Sequence, residues 1–148
     1  MRSLIQRVSW ASVCVEGQIV GAIEAGLLVF LGLEREDTEA DANKHTDKLL
    51  KLRIFADDAG KMNRSVSDIG GGLLIVSQFT LAGDCRKGNR PGFDSAMAPT
   101  EAKALYTYYV NRLRETAGHL RVETGIFAAH MAVSLHNDGP VTFLLENL

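Results

Sequence analysis

"GLLVFLGL", residues 26–33, is an unbroken apolar run bounded by glycine, and its reading decides the architecture. A run this short is either a strand buried on both faces or a piece of a core helix, and its length and flanking glycine favour the strand. Its counterpart is "LLIVSQFTL", residues 73–81, which follows Gly70, Gly71 and Gly72 and reads as a second central strand. Outward from these, "SLIQRVSWASVCVEG" is a long strand rich in β-branched residues, and Glu16-Gly17 turns it into "QIVGAI" as a hairpin. "RIFADDAGKMN" reads as a strand entering an Asp-Asp-Ala-Gly turn. "HLRVET", "MAVSLHN" and "VTFLLEN" are further strand-like runs, the last two parted by Asp138-Gly139-Pro140.

Helical patterning appears in two places. Between Asp37 and Arg53, Asp37, Glu39 and Asp41 open a segment that Lys44, Lys48 and Lys51 close, with Ala42, Leu49 and Leu52 as its apolar stripe. After Pro99 and Thr100, the residues Ala102, Leu105, Tyr109, Val110, Leu113 and Ala117 share one face until Gly118. Tyr106, Tyr108 and Tyr109 there read as packing residues rather than a base-stacking platform. The pattern predicts an α+β fold with two main helices in a single domain, residues 1–148.

Bulk composition is globular, with 46% hydrophobic and 23% charged residues. A net charge of −2 supplies no general attraction to nucleic acid, so RNA would need a local patch, and no DNA partner is expected. The patch on offer is "DCRKGNRPGF", residues 84–93, where Arg86, Lys87 and Arg90 outnumber Asp84; the same residues also fit a merely solvated loop. No apolar run approaches the roughly 20 residues that span a bilayer, and the first residues lack a signal peptide's apolar core, so a cytoplasmic location and no membrane partner are expected.

Side-chain chemistry is sparse. Cys14 and Cys85 show no CxxC spacing, and His45 (on a charged helix face), His119, His130 and His136 have no ligand spacing, so no metal is expected. Ser77 lacks the glycine-flanked turn of a serine hydrolase. Cys85 is either a nucleophile whose thiolate Arg86 and Lys87 favour or a small loop residue. In "SQFTL", residues 77–81, a buried strand turns polar; where a ladder ends, main-chain N–H groups become available to a ligand oxygen. In "HNDGPVTF", residues 136–143, a Gly-Pro pair interrupts the last strand, as a turn or as a tool that brings backbone close to another group.

Taken together, "SQFTL" and "NDGPVTF" resemble the paired signatures of the D-aminoacyl-tRNA deacylases. The likeness extends through "IQRVSWASVCVEG", "GLLVFLGLE", "LRIFADDAGKMN", "RKGNRPGF" and "ETGIFAAHM". It implies a compact, barrel-like, mostly antiparallel sheet and a homodimer with active sites at the subunit interface, needing neither metal nor organic cofactor. The implied reaction is hydrolysis of the ester joining a D-amino acid, or glycine mischarged on tRNA-Ala, to tRNA. The resemblance implies a cis Gly139–Pro140 bond entering the partner's pocket as a chiral filter, with Asn137, Met131 and Arg7 around the substrate or bracing that loop. It further implies that main chain near Phe79 and Thr80 holds the ester oxygen, that Ser77 and Gln78 shape the pocket, and that Arg86, Lys87 and Arg90 meet tRNA phosphates. Two departures stand out: His130 precedes Met131 where relatives often carry Asp, and "LAGDC" replaces "LYADT" or "LAADT".

Overall fold

A computed structural model describes residues 1–146 and 148. Its strands are β1 (Arg2–Val15), β2 (Gln18–Ile23), β3 (Gly26–Gly32), β4 (Phe55–Ala56), β5 (Met62–Arg64), β6 (Gly72–Ser77), β7 (Val122–Thr124) and β8 (Ala132–Glu146). The helices are α1 (Glu39–Lys51), α2 (Val66–Ile69) and α3 (Pro99–Thr116), with a 3₁₀ turn at Phe79–Ala82.

The main sheet runs β2-β1-β3-β6-β7, with β8 added to β1. β1 is long enough to serve two neighbours along one edge, pairing through Arg2–Val8 with β3 and through Ala11–Val15 with β2, while β8 follows its other edge. These pairs are antiparallel; β3 with β6 and β6 with β7 are parallel. Alternate residues of the two apolar strands go to opposite faces. Leu27, Val29, Leu31, Leu73 and Ile75 pack with Leu49 of α1 and with Tyr109 and Leu113 of α3. Leu28, Leu74 and Val76 instead join Val8, Ala11, Val13 and Ile23 in a second core built by strands alone.

The sheet nearly closes into a barrel where β2 meets β7. A Cβ on Gly21 would lie 2.4 Å from the Thr124 carbonyl oxygen and 3.2 Å from Leu74 Cδ1, so the approach requires a residue without one. Gly21→Ala is expected to destabilise by about 1–3 kcal/mol through overpacking. A lower urea midpoint with unchanged slope checks it.

Four features differ from the sequence expectation. α2 was not anticipated, although Ser65 and Asp68 form a reciprocal capping box at its start and Gly70, at φ 63°, ends it. The run "LLIVSQFTL" leaves the ladder at Ser77, because its last residues form the 3₁₀ turn. "MAVSLHN" and "VTFLLEN" are one strand, β8, with residues 138–141 thrown out opposite Arg7 alone. His45 is not on an exposed charged face but 1% accessible, beneath α3. Tyr106 and Tyr109 are buried and Tyr108 half-buried, in keeping with packing.

Candidate active site

β6 pairs with β3 as far as Ser77 opposite Leu31, and the Gln78 N–H adds one more bond, 2.8 Å to the Leu31 carbonyl. The chain then tightens into the 3₁₀ turn. Phe79 and Thr80 open that turn, where N–H groups have no intrahelical acceptor, and among the described residues neither amide meets another protein acceptor. The Gln78 side-chain amide donates to Thr80 Oγ1, which ties the two side chains together. Below them, Tyr106 donates its hydroxyl to the Ile75 carbonyl at 2.8 Å and fixes α3 to the strand end.

These residues open onto a cavity of about 640 Å³, within the usual range of ligand pockets. Ser77, Gln78 and Phe79 form one side; Phe93 and Met97 come from the loop before α3, and Phe127, His130 and Met131 from the β7–β8 loop. Phe79 is 60% exposed and leans on Phe93, with ring centroids 5.1 Å apart. Phe93, Met97 and Phe127 were not singled out from the sequence, since an apolar residue in a loop carries no periodicity.

A second cluster lies at the β8 excursion, and its Gly139–Pro140 bond is cis. Arg7 sits at its base, Nε donating to the Asp138 carbonyl at 2.9 Å and pairing with Asp138 Oδ2 at 3.0 Å, while Nη1 reaches the Ile54 carbonyl at 2.7 Å. Asn137 Nδ2 closes the loop by donating to the carbonyls of Arg7 at 2.9 Å and Val141 at 3.1 Å. Asn137, Gly139, Pro140 and Arg7 do not line the Ser77–Phe79 cavity of the same chain, whereas Met131 does. Thr80 stands beside that cavity through its bond to Gln78 rather than in its lining.

Arg86, Lys87 and Arg90 border a separate hollow with Cys85. The strand of chain from Gly92 to Met97 divides the two: Gly92, Asp94 and Ser95 face the basic hollow, and Phe93, Ala96 and Met97 the apolar one. Arg86 forms a two-pronged bond to Asp84, at 2.9 and 2.7 Å, which holds the Asp84 carboxyl well below the usual carboxylate range. The positive balance of the loop therefore rests on Lys87 and Arg90. Cys14 and Cys85 are both free thiols.

Unpaired main-chain N–H groups beside a cavity are donors that a substrate oxygen can use. The sequence pattern described as D-Tyr-tRNA(Tyr) deacylase matches residues 4–146, and the chain belongs to that family of hydrolases. A D-aminoacyl-tRNA deacylase of Variovorax paradoxus (strain S110) is 60% identical over 99% of both chains. One of Stutzerimonas stutzeri (strain A1501) is 58% identical over 99% of this chain and 100% of its own. A solved structure named c-Myc DNA Unwinding Element Binding Protein superposes with a TM-score of 0.95 at 41% identity, covering 100% of this chain and 99% of that one. A structure described as a probable eukaryotic D-amino acid tRNA deacylase shares the fold, with a TM-score of 0.84 at 19% identity and 97% coverage of each chain. Among the described residues, no helix is long and apolar enough to cross a membrane.

Proposed function

We propose that the chain, as a single domain, hydrolyses the ester of D-aminoacyl-tRNA in the Ser77–Phe79 cavity, with Gly139 and Pro140 supplied by a second copy. The observation that carries this reading is the pair of free amides at Phe79 and Thr80 beside an apolar cavity, in a chain of this family. In this reading those amides receive the carbonyl oxygen as it gains charge, and one such donor is worth about 10²–10³ in rate. The ribose 2′-hydroxyl next to the ester assists the attack, so no side-chain nucleophile is needed. Ser77 and Gln78 shape the pocket, and Thr80 positions through its bond to Gln78.

Selectivity comes from exclusion. Attraction alone discriminates a methylene by only about 1–3 kcal/mol, whereas main chain fixed against the α-carbon leaves no room for an L side chain. The Gly139–Pro140 excursion is such a piece of main chain, braced by Arg7 and Asn137, yet it does not line the cavity of its own chain. A homodimer joins the two halves of the site. The achiral glycyl ester on tRNA-Ala passes the same filter, and Lys87 and Arg90, with Arg86, meet tRNA phosphates in the cytoplasm.

The deciding experiment compares deacylation of D- and L-tyrosyl-tRNA. Turnover of the D ester with the L ester intact supports the reading; protection of the D ester would make the protein a binder. A hydrolase built on Cys85 would lose its activity in Cys85→Ala, for which the main-chain mechanism gives rates within about twofold of wild type.

A further inference from the structure

Among the described side chains lining the Ser77–Phe79 cavity, His130 is the one able to carry charge; the others are apolar apart from the neutral Ser77 and Gln78. It is solvent-exposed, so it stands at the mouth and not on the floor. Its loop forms a turn, in which the Ala129 N–H donates to the Ile126 carbonyl at 3.2 Å and Ala128 has φ 63°.

An aminoacylated tRNA end seated with its ester at Phe79 and Thr80 must send its nearest phosphate, on the 5′ side of the terminal ribose, out through that mouth. The surroundings suit an anion. Lys87 and Arg90 lie across the wall formed by residues 92–97, and Lys103 borders a shallower depression that shares Pro99, Phe127 and Ala128 with the cavity. Asp84 and Asp94 border the basic hollow, and among the described residues no carboxylate lines the cavity itself.

We propose that His130 donates an N–H hydrogen bond to the phosphate of the terminal nucleotide and so binds the anionic part of the substrate, an inference that rests on the deacylase reading above. An imidazole keeps at least one N–H donor in either protonation state, and contacts of this kind fix the position of a nucleic acid without reading its bases. A carboxylate at the same place would face that phosphate as a like charge.

The test uses His130→Asp and His130→Gln in the full chain, with two substrates: D-tyrosyl-tRNA and the 3′-O-D-tyrosyl ester of adenosine, which lacks the phosphate. In His130→Asp the ratio of kcat/KM on tRNA to that on the adenosine ester is expected to fall about tenfold, the loss appearing in KM, with the neutral donor of His130→Gln in between. The slope of log KM against log salt for tRNA should also drop by about one in His130→Asp. An unchanged ratio together with an unchanged slope, or a loss confined to kcat, overturns the proposal. A wild-type protein that cleaves neither ester removes the deacylase reading instead.

Discussion

Gly139→Ala is expected to lower kcat/KM on D-tyrosyl-tRNA by about a hundredfold, the size of loss that follows a misplacement of about 1 Å at a reacting centre. The cause is local. A Cβ on Gly139 would lie 2.2 Å from Asn137 Oδ1 and 2.7 Å from the Val141 nitrogen. The Asn137 side chain cannot retreat freely, because its Nδ2 holds the carbonyls of Arg7 and Val141, and the Val141 nitrogen is main chain. The excursion must therefore move as a unit. Asp138, Gly139 and Pro140 are exposed, and of the excursion only Val141 is buried, so far-ultraviolet circular dichroism and the sedimentation coefficient should stay close to wild type.

The same variant also tests who supplies the loop. A second variant, Ala129→Trp, fills the cavity, since Ala129 is part of its lining. If the loop crosses to the partner, a heterodimer of the two variants contains one site with an intact cavity and an intact loop. Equal mixing with subunit exchange should then restore about a quarter of wild-type activity, since half the dimers are mixed and half their sites are sound. No recovery, in a mixture shown by mass spectrometry to have exchanged, would place the loop and the cavity it serves in the same chain. Full activity in Gly139→Ala would place the filter elsewhere.

Much of the scaffold was legible because period and punctuation agreed. β2 and β3 fall where "QIVGAI" and "GLLVFLGL" were read, and Pro99 opens α3 as its place in the pattern indicates. Reading failed where tertiary context overrode the local signal. A Gly-Pro pair between two alternating runs looks like a hairpin turn, but both runs pair with the same strand, so the pair became an excursion within β8. "SQFTL" looked like strand to its end, yet the ladder stops where β3 stops offering carbonyls, and the amides thus released are the ones the proposed chemistry uses. The two motifs point to the proposed site only in combination. Each is ordinary in composition, and the structure shows that a single chain keeps them apart. Phe93 and Met97 on one loop and Phe127 on another are brought together by the fold, a fact about topology that spacing along the chain does not encode.

His45 is the largest departure from the local reading and has the largest expected consequence for stability. On α1 it follows Ala42 by three residues and precedes Leu49 by four, so it continues the buried stripe that its polarity disguised. Its Nε2 meets Ser3 Oγ at 3.0 Å and its Nδ1 the Tyr109 hydroxyl at 3.0 Å, joining β1, α1 and α3 through one ring. Burial disfavours the imidazolium and pushes the group down from 6.5 to about 4. The unfolded chain therefore takes up a proton below pH 6.5 that the folded chain refuses until about pH 4. Stability is complete above pH 6.5 and falls through that interval, by about 3 kcal/mol in all. Asp41, Asp57, Asp68 and Asp84 are held below their ordinary 3.8 by hydrogen bonds, so the stability they add is lost only at lower pH, as they protonate. Urea unfolding at pH 7, 5.5 and 4 should show the wild-type fall. His45→Gln, which offers the two hydroxyls an amide that does not titrate, should start less stable by about 1–3 kcal/mol and stay level across the same interval. A wild-type midpoint that does not move between pH 6.5 and 4, or a glutamine variant that falls in parallel with it, would mean that the ring is not the group that acid attacks first.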